Sequence, residues 1–192
     1  ERSPGGSISP AVHRPHYVVV TLVAPFEGNQ RAIGFDIGSD PVRAEAIERA
    51  IATRSIAATS RIRLIQADGN AQFGSLLLAP HFARPVAPGQ SPTEAEAPLG
   101  FAVAVLRWDH LLQTTLAALD PGLVDACLVD RTGPQPTRLS GAQGCEGSAS
   151  PVAYSGPVEL GGRRLALELR PAATFSGAPR SLQAWALLVA GV

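Results

Sequence analysis

The stretch Gly34-Phe35-Asp36-Ile37-Gly38-Ser39-Asp40-Pro41-Val42-Arg43 constrains the fold of this chain more than any other. A short apolar segment stops at Gly38-Ser39, and a helix begins. Asp40 suits the N-cap, because its carboxylate accepts the free N–H groups of a first turn. Pro41 suits the first helical position, where a missing N–H removes no bond. Ile47, Ala50 and Ile51 then recur at helical spacing, and Glu45 and Arg49 form an i,i+4 pair on another face. The pattern predicts a helix from Asp40 to about Arg54. Strands over 57–66 and 73–79 follow it, joined by a turn at Asp68-Gly69-Asn70.

The segment before the helix reads as a strand from Arg31 to Ile37. Alternation puts Ile33, Phe35 and Ile37 on one face, and Gly34 and Asp36 on the other. A glycine inside a strand often marks close approach of a ligand or a second backbone. An acid beside that gap either accepts hydrogen bonds from a small polar ligand or sits in solvent at a strand end. Spacing alone leaves both readings open.

Composition limits the partners. The 192 residues carry zero formal net charge and no run of lysine or arginine, so nothing marks a nucleic-acid surface. With 45% hydrophobic residues, the chain can build one large core or two small ones. Cys127 and Cys145 lack metal-site spacing; they are either one disulfide or two separate buried thiols. The end of the chain, from Leu182 to Val192, is uncharged and apolar after Arg180, with Trp185 near its start. It is shorter than the ~20 residues a bilayer requires. Two readings fit it, a buried terminal helix or the first half of a truncated transmembrane helix.

Further along, Tyr17 to Ala24 is an apolar, β-branched run that predicts a buried strand. The proline-rich stretch 80–98 predicts a long surface loop. Gly100 to Arg107 is the strongest candidate for a central strand. Asp109 is placed to cap the next helix, with Leu112, Leu116 and Leu119 along one side. Pro121-Gly122 marks a domain boundary. Leu123 to Asp130 predicts a strand, 131–150 a glycine- and serine-rich connection, and Val158 to Arg170 a hairpin turning at Gly161-Gly162. The order of elements is α+β, without βαβ periodicity.

Catalytic patterns are missing. The chain has no G-x-S-x-G, no phosphate-binding glycine loop and no H-E-x-x-H, and no cofactor motif. His13 and His16 lie three apart, a spacing that suits a metal but equally a surface pair. No residue is assigned a catalytic or metal-binding role.

Three blocks of residues resemble the CHASE domain, the extracellular sensory module of membrane histidine kinases and nucleotide cyclases, which includes plant cytokinin receptor ectodomains. They are Asn29 through Arg43 to Ala52, with Gly-Phe-Asp and Ser-Asp-Pro-x-Arg at its centre; Ala58-Thr59-Ser60 through Gln66, with Gly74 to Pro80; and Leu99-Gly100-Phe101 through Arg107 to Leu112. The chain departs from the family at Thr53, which is followed by Arg54-Ser55 instead of a glycine, and at Pro80-His81-Phe82.

The resemblance implies an α+β fold of two PAS-like lobes, each an antiparallel sheet with flanking helices, the N-terminal stalk helix being missing. Residues 1–119 would form a membrane-distal sensing lobe and 120–175 a membrane-proximal one. Residues 176–192 would form a helix leading to the truncated transmembrane segment. It implies an extracytoplasmic sensor that is not itself an enzyme, binds an unidentified small molecule and forms a homodimer. It would reach the membrane through flanking helices. An outside location favours the disulfide over free thiols. The ligand site would comprise Asp36, Ala58, Thr59, Leu78, Ala79, Gly100 and Phe101, and the alanines at 58 and 79 replace bulkier family residues and widen it. The rival expectation is a dimerisation or protein-binding platform with a closed pocket. A cavity of about 300 Å³ or more beside Asp36 favours sensing.

Overall fold

The computed structural model describes residues 9–64, 72–83, 97–117, 124–147 and 154–172. The expected turn at Asp68-Gly69-Asn70, most of the 80–98 loop, the Pro121-Gly122 boundary, Leu119 and the terminal helix with its apolar run lie outside them.

Among the described residues, two antiparallel four-stranded sheets and two α-helices make the chain α+β and two-lobed, as the resemblance implies. The first helix, α1 (Pro41–Thr53), starts as expected. Asp40 Oδ1 accepts the N–H groups of Val42 and Arg43 at 3.0 and 3.1 Å, and Pro41 opens the first turn. One face of α1, carrying Ala46, Ile47 and Ala50, is buried. It packs on a sheet made of β1 (Ala57–Ala58), β2 (Ile62–Arg63), β3 (Phe73–His81) and β4 (Gly100–Arg107). Strand β3 is the hub: β1 and β2 pair with successive parts of it, and β4 pairs along its whole length.

Strand β4 therefore lies at an edge among the described residues, not at the centre. Its middle residues, Ala102 to Val105, are exposed. An apolar β-branched pattern reports preference for extended backbone; it carries no count of neighbouring strands.

The N-terminal segment also departs from expectation. Residues 17–24 and 31–37 form no strands beyond a single bridge between Val19 and Asp36. Gly34 takes a positive φ of 79°, and one-turn 3-10 helices occupy Gln30–Ala32 and Ile37–Ser39. These windings break the extended repeat. Backbone bonds still tie the two segments: Gly34 N–H to Val20 O, Val20 N–H to Phe35 O and Ile37 N–H to Val18 O. Val18 and Val20 pack against the first core, whereas Leu22 lies in solvent.

The second helix, α2 (Trp108–Leu116), begins without a side-chain cap. Asp109 accepts the Ser140 hydroxyl at 2.6 Å instead of capping. The second sheet runs in the order β6 (Thr137–Gly141), β5 (Val124–Asp130), β8 (Arg163–Pro171), β7 (Tyr154–Leu160). Gly161 and Gly162 both have positive φ and close the β7–β8 hairpin in two residues, as two-residue turns require. Trp108, Leu128, Leu139 and Leu165 form the second core. Cys127 and Cys145 are joined in a disulfide, their Cα atoms 5.9 Å apart.

The lobes touch at named points. The Ala58 N–H donates to Gly161 O at 2.9 Å, and Arg61 Nη1 to Arg138 O at 2.8 Å. Trp108, seated in the second core, donates its indole N–H to Ser75 of β3 at 3.0 Å.

Candidate functional site

Asp36 ends the irregular segment and caps the 3-10 turn after it. The residue is 3% exposed, so an ionised carboxylate here needs compensation from partners. It has three. Oδ1 accepts the N–H groups of Val18 at 2.9 Å and Gly38 at 3.0 Å, and Oδ2 accepts Arg14 Nη2 at 2.6 Å. A side chain at position 38 would crowd this arrangement, since a Cβ there would lie 3.3 Å from Oδ1. Of the two weighed roles, the exposed strand-end acid does not describe Asp36: it is buried and bonded.

Beside it is a hollow of about 210 Å³, lined among others by Tyr17, Val19, Arg31, Ile33, Gly34 and Asp36. That volume is below the ~300 Å³ at which pockets for drug-sized ligands begin. The other expected site residues do not border it. Ala58, Thr59 and Leu78 are buried in the first sheet. Ala58 gives its N–H to Gly161, and its carbonyl accepts Arg49 Nη2. Thr59 Oγ1 accepts the Leu76 N–H at 3.0 Å.

Ala79, Gly100 and Phe101 are half-buried where β3 and β4 end. Register divides the set by face. Leu78 opposes Val103 and Pro80 opposes Phe101, so Leu78 and Phe101 share the α1 side. Ala58 opposes Leu77, and Gly100 opposes His81, which puts Ala58, Ala79 and Gly100 on the other side. The sheet thus gathers six of the seven residues but spreads them over two faces, and Asp36 stands apart.

Reading along the chain missed Arg14, Tyr17 and Arg31. No local pattern links Arg14 to Asp36, because 22 residues separate them. The second sheet also holds two buried acids that spacing did not single out. In Asp130, burial raises the carboxyl pKa, but bonds from Thr132 and Arg163 outweigh it and hold the pKa below the usual value. Glu168 behaves alike: burial raises its pKa, and bonds from Arg131 and Arg170 bring it below normal. Arg163 Nε lies 2.5 Å from Asp130 Oδ2, and Arg170 Nη2 lies 2.7 Å from Glu168 Oε2.

The chain is thus a two-lobed α+β protein whose first lobe holds a buried acid beside a small hollow. A family model described as the CHASE domain matches residues 1–140, well over half of the sequence, and the chain belongs to the CHASE domain family. That family is a sensory, non-catalytic domain of signalling receptors. No curated protein matches the chain. Among the described residues, no helix is long and apolar enough to cross a membrane.

Proposed function

We propose that this chain is the extracytoplasmic, ligand-sensing part of a transmembrane receptor, acts as a homodimer, and takes a small molecule in its distal lobe at Asp36. The observation that carries the reading is the placement of that acid: sealed from water, yet bordering a hollow and bonded to a cation from a separate segment. The Cys127–Cys145 disulfide supports an oxidising compartment, because such bonds persist outside the cytosol. In this reading Ala58, Thr59, Leu78, Ala79, Gly100 and Phe101 make the sheet that responds to the ligand. Ala58 passes the response to the second lobe through Gly161. A ligand shifts the receptor only by its difference in affinity between two arrangements.

A thermal-shift screen of small polar metabolites tests it. A ligand at 100 times its Kd adds about 2.7 kcal/mol, roughly 5–10 °C for a chain of this size. Asp36→Asn should abolish that shift. A screen with no positive, or a shift that survives in the variant, removes the ligand role. A second reading, the protein-binding platform, draws on the Arg14 side chain bonded to Asp36 and on the small volume of the hollow. It predicts no small-molecule shift at all.

A further inference from the structure

Asp36 already holds a guanidinium. Arg14 reaches it from a coil whose backbone is pinned to Tyr17: the Arg14 N–H donates to the Tyr17 hydroxyl at 2.8 Å, and that hydroxyl donates to Val12 O at 3.1 Å. The guanidinium also lies 5.6 Å from the centre of the Tyr17 ring. The arginine side chain is 26% exposed and the aspartate 5%. The acid is fixed by two backbone N–H groups, whereas the cation hangs on a long side chain from the surface. If one partner is replaced, it is the cation.

The hollow supplies a second charge. Arg31 lines it and has no acidic partner among the described residues. Apart from Ser9, its remaining walls are apolar or aromatic, and a Cβ added at Gly34 would meet nothing within 4 Å, so space is open there. Asp36 is already bonded to Arg14, so the charge on Arg31 is one that this acid does not neutralise. A plain cation that displaced Arg14 would meet Arg31, and a plain anion would meet Asp36. A molecule carrying both charges satisfies both groups.

Resting on the reading that the distal lobe binds a small molecule, we infer that the hollow takes a zwitterion of the amino-acid class. Its cationic group replaces the Arg14 guanidinium on Asp36, and its carboxylate meets Arg31. Arg14 is then a built-in surrogate that keeps the buried acid paired when the site is empty. The volume, below that of a drug-sized pocket, suits so small an occupant.

Calorimetric titration of the whole chain with L-arginine and with agmatine, its decarboxylated counterpart, tests the assignment. L-Arginine should bind the unaltered chain more tightly than agmatine does. Arg14→Ala should tighten L-arginine binding about tenfold, because the site no longer has to be vacated first. Asp36→Asn should abolish binding of both. Arg31→Gln, at an exposed position, should keep the fold and reduce L-arginine to the affinity of agmatine. Three results overturn the inference: no L-arginine binding in a folded Arg14→Ala chain, equal affinity for the two probes in the unaltered chain, or no effect of Arg31→Gln. A metabolite shift that depends on Asp36, found where zwitterions fail, would sink the inference and leave the sensor reading standing.

Discussion

Arg54 illustrates how much a single residue can carry. It takes a left-handed conformation that favours glycine, with φ 49° as the C-cap of α1. A side chain in the left-handed region costs about 1 kcal/mol. Its guanidinium stacks 3.7 Å from the centre of the Phe82 ring, which returns about half of that. Arg54→Gly should therefore stabilise the chain by less than ~1 kcal/mol in urea denaturation, and Arg54→Ala, which keeps the strain and loses the ring, should destabilise it. A loss of stability on Arg54→Gly would mean that the contacts of the side chain, the ring among them, outweigh the strain. Asp36 is the opposite case. Nothing in its conformation is unusual, and its importance lies wholly in what surrounds it.

The elements divide by how their stability depends on solution conditions. The first sheet and α1 are held by apolar packing and by a cap. The second sheet buries charge across its strands, with Asp130 on β5 bonded to Arg163 on β8, and Glu168 on β8 bonded to Arg131 and Arg170. Both acids have folded pKa values below their unfolded values of ~3.9 and ~4.3. Their contribution is complete above those unfolded values and is lost as pH falls through the folded ones. Stability measured by urea denaturation should hold steady from pH 7 to about 5 and then decline. Glu168→Gln should lower stability at pH 7 and flatten the decline, since the variant has one proton fewer to bind. An unchanged acid limb in that variant would remove Glu168 as a cause.

For the whole molecule, the junction of the lobes is where the backbones of the two sheets meet. The tip of the β7–β8 hairpin reaches β1 of the other sheet, and there is no room for more: a Cβ at Gly161 would lie 2.5 Å from Ala58 N and 2.9 Å from Ala57 C, both backbone. At Gly162 the nearest atom would be Arg49 Nε at 3.9 Å. Both glycines have positive φ, so both alanine variants carry backbone strain of ~1 kcal/mol. Gly161→Ala should cost about 1 kcal/mol or more beyond Gly162→Ala, because only the former must push the lobes apart. Equal losses in guanidinium denaturation would show that the contact is not held in solution.

Much of the local structure was legible in the residues themselves. The start of α1 at Asp40-Pro41 and the two-glycine hairpin follow from patterns a few residues long, and the family follows from three longer blocks in order along the chain. Caps, turns and periodicity are properties of neighbours, so adjacent residues determine them. What only the tertiary structure decided depends on segments distant in the chain. Arg14 meets Asp36 across 22 residues, β4 lies at an edge because no described strand flanks its far side, and Asp109 turns to Ser140 instead of its own helix. Burial made the difference at Asp36, which is 3% exposed. A charge sealed from water takes whatever partner the packing brings, and that choice is not written in its own vicinity.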